Sequence, residues 1–272
     1  MPVPFGDLPE DTDADLLFDV ADGIARITLN RPARGNSITV SMFPSFRAVW
    51  EEVRMNNDIR CVIITGAGDR HFCTGVDVDS VAESGQVAMG SGNITDELHF
   101  TSRQNRVWKP VICAVNGLVA GAGLHFVVDS DIVVAVEHAQ FLDSHVNVGQ
   151  VGGIENTGLA RRLPLGTALR MTLQGRNFRL PAARAYQLGL VEELTAPDQL
   201  METALQIARD IAANSPQAVS LSQQAVWAST EMPYSQSAEY GWSLVRSHWS
   251  HPDFIEGPRA FAERREPRWT VG

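Results

Sequence analysis

Apolar and polar positions in the first part of the chain follow the period of a strand, then of a helix, then of a buried strand. Residues 16–20 and 24–30 flank Ala21-Asp22-Gly23 and predict an antiparallel hairpin with a short turn. Apolar side chains recur at helical spacing over residues 40–57. The continuous apolar run IRCVIIT at 59–65 is typical of a strand that is buried on both faces.

Further strand and helix patterns alternate after this strand. We expect two more buried strands, at 111–115 and 131–136, and two helices, at 96–108 and 122–129. Such alternation predicts an α/β fold with parallel strands, whose ligands bind at the turns from strand to helix. The small, polar and glycine-containing residues 80–93 predict a mobile loop. From residue 181 onward the pattern predicts helices alone, at 181–188, 197–213, 216–229, 235–249 and 257–265.

Composition narrows the class of protein. The 272 residues are 44% hydrophobic and 20% charged, which is enough to bury a large core. We expect an α/β core over 1–195 and a C-terminal helical region over 196–272. No apolar run reaches the ~18 residues of a membrane helix, and the acidic, proline-rich start lacks the features of a signal peptide. We therefore expect a cytoplasmic protein with no membrane partner.

Charge and cysteine usage exclude further classes. A net charge of -10 argues against a nucleic-acid partner, which needs a basic surface. Cys61, Cys73 and Cys113 are odd in number and show no CxxC spacing, so they predict neither a disulfide framework nor a zinc site. None of the histidines at positions 71, 99, 138, 248 and 251 has metal-ligand spacing with a partner, and we infer no metal.

Two glycine-rich turns each follow an apolar run, HFCTGVD at 71–77 and NGLVAGAG at 116–123. A turn that opens a helix presents unpaired backbone N–H groups at the positive end of the helix dipole. The N–H groups of Val76 and Ala122 would form an oxyanion hole, in which each donor lowers a barrier by roughly 3 to 4 kcal/mol. Either motif alone is also compatible with a tight packing turn.

Ordered motifs over nearly the whole chain resemble the crotonase superfamily, the family of enoyl-CoA hydratases and isomerases. They are LNRPARGNSIT (29–39), CVIITGAGDRHFCTGVDV (61–78), KPVICAVNGLVAGAGL (109–124), DSDIVVAVEHAQF (129–141), GLVEEL (189–194) and DFIEGPRAFAERREP (253–267). The resemblance implies a crotonase-like α/β spiral of ββα units with a C-terminal helical trimerisation region. It also implies a homotrimer or a dimer of trimers, and an acyl-CoA substrate in which coenzyme A is part of the substrate and no separate cofactor is needed.

The resemblance also assigns binding residues. The family places the thioester carbonyl between two N–H groups that match Val76 and Ala122, although the second position is usually a glycine. The segment around Arg31, Arg34 and Asn36, with Cys73 and Thr74, matches the part that binds coenzyme A. Phe261 and Arg264 match a C-terminal helix that often reaches the coenzyme A of a neighbouring subunit.

The catalytic positions depart from the family. Its hydratases use two glutamates to hold and activate one water, and the matching positions here are His125 and His145, which are 20 residues apart. Imidazole titrates near pH ~6.5 and is the commonest general base. Because two imidazolium ions side by side would repel, one histidine should be neutral. Asp143 or Glu155 is a candidate to fix a histidine tautomer.

Three functions remain open at this point. The first is hydration or double-bond isomerisation of an acyl-CoA through an enolate, with His125 and His145 transferring protons. The second is hydrolytic C–C cleavage of a β-diketone or β-keto thioester in a retro-Claisen reaction, with water activated by His145. The third is a non-catalytic acyl-CoA binder.

Overall fold

The hydrophobic hairpin predicted at the start of the chain forms one edge of the larger of two sheets. In the computed structural model, which describes residues 15–77 and 92–270, β1 (Leu16–Ala21) pairs antiparallel with β2 (Ile24–Leu29). Asp22 and Gly23 both have positive φ, as the favoured two-residue hairpin turn requires. Residues 80–91 of the predicted mobile loop lie outside the described residues.

The remaining strands and α-helices follow the α/β order that the sequence predicts. They are α1 (Met42–Met55), β3 (Cys61–Gly66), β4 (His71–Cys73), α2 (Ile94–Glu97), β5 (Val111–Val115), β6 (Leu118–Ala120), α3 (Leu124–Asp129), β7 (Ile132–Val136), β8 (Gln140–Leu142), α4 (Ile154–Arg162), α5 (Leu165–Gln174), β9 (Leu180–Pro181), α6 (Ala182–Gln187), β10 (Glu193–Thr195), α7 (Leu200–Ala212), α8 (Pro216–Ala228), α9 (Tyr234–His248) and α10 (Asp253–Glu263).

The larger sheet has six strands in the order β1-β2-β3-β5-β7-β10. All its pairs except β1 with β2 are parallel, with Ile64 opposite Cys113 and Ile112 opposite Ile132. Helix α7 contacts β3, β5 and β7, and its Ala204 is fully buried. Every residue of β3 and β5 is buried, so both faces of these central strands are covered, which explains why they show continuous apolar runs without alternation.

The smaller sheet, in the order β4-β6-β8-β9, determines where the candidate site lies. Strands β4, β6 and β8 are parallel, and β9 pairs antiparallel with β8. Because parallel strands end at the same edge of a sheet, the segments that leave β4, β6 and β8 meet. These segments begin at Thr74, Gly121 and Asp143.

Two expectations about secondary structure are wrong. The helix predicted at 96–108 is limited to α2, and turns follow it. The Asn105 side chain donates to the carbonyls of His99 and Thr101, and Arg106 has a φ of 54°, so local side-chain bonds replace the helical ladder. Strands also continue beyond residue 180, in β9 and β10, which are too short to produce a recognisable pattern.

The C-terminal helical region is formed by α7 to α10. Helices α8 and α9 pack against each other. Large apolar side chains remain exposed on this region, among them Trp242, Trp249, Ile255 and Phe261. Within the described parts of the chain, no helix has both the length and the apolar character to cross a membrane.

Candidate active site

The two glycine-rich turns are in direct contact. Gly75 follows β4 with a φ of 96°, and a Cβ placed there would lie 3.2 Å from both the Ala122 nitrogen and the Ala120 carbonyl oxygen. Ala122 lies in the 3-10 turn Gly121–Gly123, between β6 and α3. In the described residues, no turn or loop carbonyl accepts the Val76 N–H. Val76 and Ala122 line one cavity of about 430 Å³.

Both histidines selected from the sequence line the same cavity. His125 is on the first turn of α3, and His145 begins the 3-10 turn that follows β8. Thr74 and Glu155 also line it. The remaining wall is largely apolar and includes Leu98, Phe100, Val148, Val151 and Ile154. The cavity thus combines backbone N–H groups, two imidazoles and one carboxyl beside an apolar surface.

His145 is held by a buried carboxylate. Asp143 is 0% exposed, and its Oδ1 accepts hydrogen bonds from the His145 backbone N–H at 3.0 Å and from Nδ1 at 2.6 Å. Its Oδ2 accepts from the Asn156 amide at 2.7 Å. Burial opposes ionisation of Asp143, but the hydrogen bonds from His145 and Asn156 outweigh it and lower the pKa of this carboxyl. The bond to Asp143 in turn raises the pKa of His145.

Because Nδ1 of His145 donates to a carboxylate, the basic lone pair of the neutral ring is on Nε2. This is the arrangement in which a carboxylate orients a histidine base. Asp143 stabilises the imidazolium that forms when Nε2 accepts a proton.

Glu155, on the first turn of α4, lies between the two imidazoles. Its Oε2 is 3.3 Å from Nε2 of His125, and its Oε1 is 3.2 Å from Nδ1 of His145. Among the described residues, Oε1 has no hydrogen-bond partner, since the Nδ1 proton of His145 is directed at the closer Asp143. Burial raises the pKa of Glu155. The raised pKa favours the protonated, neutral form of this carboxyl.

The surroundings of His125 shift its pKa in the opposite direction from that of His145. It is 4% exposed, and Nδ1 lies 3.1 Å from the Gln104 side-chain nitrogen. Burial, followed by the charge of His145, lowers the pKa of His125 to about 4. One imidazole is thus held neutral and the other is biased toward the charged form.

Comparison with known proteins decides the family. Residues 19–271 match the family model described as "Enoyl-CoA hydratase/isomerase". The chain belongs to the enoyl-CoA hydratase/isomerase family. It is 32% identical to (E)-benzylidenesuccinyl-CoA hydratase of Thauera aromatica over 92% of this chain and 96% of that protein. It is 31% identical to 1,2-epoxyphenylacetyl-CoA isomerase of Escherichia coli (strain K12), over 94% and 98% of the two chains.

Solved structures give the same family. An enoyl-CoA hydratase/isomerase from Mycobacterium paratuberculosis superposes with a TM-score of 0.86 at 35% identity, covering 95% of this chain and 99% of that one. Enoyl-CoA hydratase EchA1 from Mycobacterium marinum gives 0.85 at 30% identity, covering 96% and 100%. The fold class expected from the sequence is therefore confirmed.

The residues that the family resemblance assigns to coenzyme A differ in what they offer a ligand. The Arg31 side chain is already engaged by neighbouring residues, because its guanidinium donates to Ser37 at 2.8 Å and pairs with Asp77 at 3.0 Å. The Asn36 amide donates to the backbone carbonyls of Ala67 and His71. These two side chains stabilise the loop, and their contact with coenzyme A stays a prediction.

The other residues assigned to coenzyme A either have side chains that a ligand can reach or offer only backbone groups. Thr74 lines the cavity, and the Arg34 side chain is 54% exposed. Cys73 is fully buried, and burial raises the pKa of its thiol to about 12, so only its backbone is a candidate for contact with a ligand. Phe261 is 87% exposed on α10, and Arg264 ends that helix with a φ of 55°. Their predicted role involves a neighbouring subunit and stays a prediction.

The cluster around His145 also has the donor types of a metal site. Asp143, His145 and Glu155 offer ligand atoms that lie within 4.8 Å of one another. However, the 2.6 Å separation of His145 and Asp143 is that of a charge-assisted hydrogen bond, and a metal at Nδ1 would have to replace its proton. The donor set therefore fits proton transfer better than metal binding.

Sequence reasoning missed Gln104, Asn156 and Gly152. Gln104 lies in the segment that was predicted to be a helix, where nothing marks it as a site residue. Asn156 follows Glu155 directly, but only the structure shows that it bonds to Asp143. A Cβ at Gly152 would lie 2.4 Å from the Asn156 amide nitrogen and 2.9 Å from Oδ2 of Asp143. A glycine is therefore needed beside the carboxylate that holds His145.

Gly152→Ala should reduce catalysis by displacing this network. The added Cβ would also lie 3.0 Å from Nδ1 of His145. Since a displacement of ~1 Å can cost on the order of 10²-fold, we expect kcat to fall by about 10- to 100-fold. Gly166→Ala is the matched control, because a Cβ there meets no atom of the described residues within 4 Å and Gly166 does not line the cavity. Equal kcat values for the two variants, measured with an acyl-CoA that the wild type turns over, would contradict this role.

His125 should make the fold sensitive to acid. The unfolded chain protonates this histidine below pH ~6.5, whereas the folded protein does so only at a pKa of about 4. Stability is therefore lost as the pH falls through that interval, by up to roughly 3 kcal/mol in the free energy of unfolding. His125→Gln should flatten this loss in urea unfolding measured from pH 7 to pH 4.5. The exposed His138→Gln is the control, and an equal flattening there would refute the assignment.

Proposed function

We propose that this protein is an acyl-CoA enzyme of the hydratase or isomerase type that works through an enolate. The observation that carries the proposal is the single cavity that unites Val76 and Ala122 with His125, His145 and Glu155. Relatives named as a hydratase of a benzylidenesuccinyl-CoA and an isomerase of an epoxyphenylacetyl-CoA support a coenzyme A thioester as the substrate.

In this proposal the thioester oxygen accepts hydrogen bonds from the backbone N–H groups of Val76 and Ala122. Negative charge develops on that oxygen as the enolate forms. Fixed N–H donors stabilise the charge without reorganisation, and such donors are among the largest single contributions to catalysis. Ala122 supplies its N–H as well as a glycine would.

His145 is the proposed base. In hydration, Nε2 takes a proton from water while the water oxygen bonds to Cβ, and the electron pair of the double bond moves into the enolate. The His145 imidazolium then returns that proton to Cα, which gives the 3-hydroxyacyl-CoA and restores the neutral base. In isomerisation, the same nitrogen removes a proton from carbon and returns it to another carbon. Asp143 stabilises the imidazolium in both cases. The apolar wall beside the imidazoles accommodates the acyl group.

Binding of the coenzyme A moiety is proposed to use Arg34, Thr74 and the backbone of Cys73, on a loop stabilised by Arg31 and Asn36. We further propose a homotrimer or a dimer of trimers, in which Phe261 and Arg264 of one subunit reach the coenzyme A of another. The apolar side chains exposed on α9 and α10 support such an assembly. Sedimentation equilibrium gives its mass directly.

Retro-Claisen hydrolysis is the second candidate. The hydrogen-bonded pair of His145 and the buried Asp143 favours it, because the same pair is suited to activating water for attack on a carbonyl. The cleaved enolate would then rest against the Val76 and Ala122 N–H groups. A non-catalytic acyl-CoA binder is the third possibility and would not need an oriented imidazole.

Turnover of crotonyl-CoA, assayed beside a cyclic 1,3-diketone and a β-keto thioester, separates these functions. Loss of the enoyl absorbance with formation of a 3-hydroxyacyl-CoA supports the hydratase, and a shifted double bond in a longer enoyl-CoA supports the isomerase. Cleavage of the diketone or the β-keto thioester supports the second candidate. Tight binding without turnover across an acyl-CoA panel supports the binder. Activity that is unchanged in His145→Ala would overturn both catalytic mechanisms.

A further inference from the structure

Gln104 restricts which nitrogen of His125 carries a proton. The side-chain oxygen Oε1 of Gln104 accepts a hydrogen bond from the backbone N–H of Phe100 at 2.9 Å. A backbone N–H is only a donor, so this contact fixes which end of the amide is oxygen. The amide nitrogen of Gln104 must then face Nδ1 of His125, at 3.1 Å.

An amide nitrogen is only a donor, and therefore Nδ1 of His125 is the acceptor in this contact. A neutral imidazole with a lone pair on Nδ1 carries its proton on Nε2. Nε2 lies 3.3 Å from Oε2 of Glu155, and both residues line the cavity. Gln104 itself lines a second cavity, which shares Ile154 with the first.

We infer that His125 is an N–H donor toward the substrate and not a proton acceptor, and that Gln104 is the positioning residue that enforces this state. The inference rests on the proposed function and assigns different roles to the two histidines. His145 takes the proton, and the Nε2–H of His125 hydrogen-bonds to the oxygen that enters or leaves at the reacting carbon, or to Glu155 when no substrate is bound. The glutamate that the family's hydratases carry at this position is an acceptor when ionised.

The surroundings of His125 agree with a neutral donor. In the part of the chain that the structure describes, the charged groups that face it are Glu155 and His145, with Asp143 behind His145. Phe100 packs edge-on against its ring, at 5.7 Å between centroids. Asp129, at the other end of α3, is hydrogen-bonded to Thr101. A second proton on Nδ1 would face the amide hydrogens of Gln104, which cannot accept it.

Nitrogen NMR of the ligand-free protein tests the tautomer directly. Protein labelled with ¹⁵N-histidine reports the protonation of each ring nitrogen, and His125→Gln identifies the His125 signals by their loss. We expect an unprotonated Nδ1 and a protonated Nε2 at pH 7. A protonated Nδ1 would overturn the inference. Because the measurement needs no substrate, an absence of acyl-CoA turnover would overturn the proposed function and leave this result unaffected.

Gln104→Glu tests the positioning role. The carboxylate keeps an acceptor for the Phe100 N–H but presents an oxygen to Nδ1, so we expect Nδ1 to become protonated. The protonation midpoint of His125 should rise by about one pH unit or more. With an acyl-CoA that the wild type turns over, kcat should fall by about 10- to 100-fold and its pH profile should change.

Gln187→Glu is the matched control, since Gln187 is exposed on α6 and bonds to Arg184, where the new charge is tolerated. The His125 signals and the pH profile should not change in this variant. If Gln104→Glu also leaves both unchanged, Gln104 has no positioning role.

If Gln104→Glu does not fold, Gln104→Met preserves most of the side-chain volume without the donor, and His125 should then populate both tautomers. A pure Nε2–H form in Gln104→Met would contradict the assignment.

Discussion

His145→Ala is expected to lower kcat by about 10²- to 10⁴-fold, the range typical of a lost general base. His145 is the imidazole whose Nδ1 is bonded to a buried carboxylate at 2.6 Å, leaving Nε2 as the basic nitrogen. The substrate KM should change little, because the apolar wall and the two glycine-rich turns are preserved. Steady-state kinetics with an acyl-CoA that the wild type turns over measures both parameters.

Asp143→Asn distinguishes a positioned base from a histidine that only fills space. An amide can donate to Nδ1 and so favours the wrong tautomer, and we expect a loss of similar size to that in His145→Ala. The two losses should not add in the double variant, because both residues act as one unit. Additive losses would mean that Asp143 affects activity by another route. Thermal unfolding of each variant checks that the fold survives.

The pH profile gives an independent check on His145. Its pKa is raised by the bond to Asp143, and the base must be neutral to accept a proton. The rate should therefore increase as the pH rises through a pKa that lies above the ordinary value for histidine. A profile that falls over the same interval would require the imidazolium, and would make His145 an acid.

The parts of the site that sequence could predict are those that immediately follow a strand in the chain. Val76 and Ala122 come directly after short strands, and their glycine neighbours mark the turns. His125 and His145 lie at a fixed distance from those motifs. Parallel strands of one sheet bring the turns that follow them to the same edge, whatever their side chains are. This explains why the four residues selected from the sequence line one cavity.

The contacts that define the protonation states could not be predicted in this way. Asp143 reaches His145 within one loop, but Glu155 reaches both histidines only because α4 packs on α3. Gln104 falls in the helix that the sequence predicts at 96–108, while the structure places it in a turn that Asn105 stabilises. These contacts are side-chain hydrogen bonds and ion pairs, several of them between segments that are distant in sequence. The periodic pattern of apolar residues carries no information about such pairs.

Gly75→Ala is expected to lower kcat by about 10-fold or more while acyl-CoA binding largely persists, because the displaced Ala122 N–H is a weaker oxyanion donor. Gly75 has a φ of 96°, and its added Cβ would lie 3.2 Å from the Ala122 nitrogen, so the two N–H groups must move apart. Gly189→Ala imposes a comparable φ, 79°, at a position where a Cβ meets no atom of residues 15–77 and 92–270 within 4 Å. It therefore shares the backbone strain but not the displacement of the donors.

Comparing these two variants isolates the geometry of the turns from strain. Both should lose stability, by about 1 to 2 kcal/mol from the left-handed backbone alone, as measured by urea unfolding. Only Gly75→Ala should lose kcat, with little change in the dissociation constant of an unreactive acyl-CoA determined by calorimetry. If kcat falls equally in both, stability limits the activity, and the contact between the two turns is not what stabilises the enolate. If neither falls, the thioester oxygen binds elsewhere, because the added methyl group cannot be accommodated without moving the Ala122 N–H.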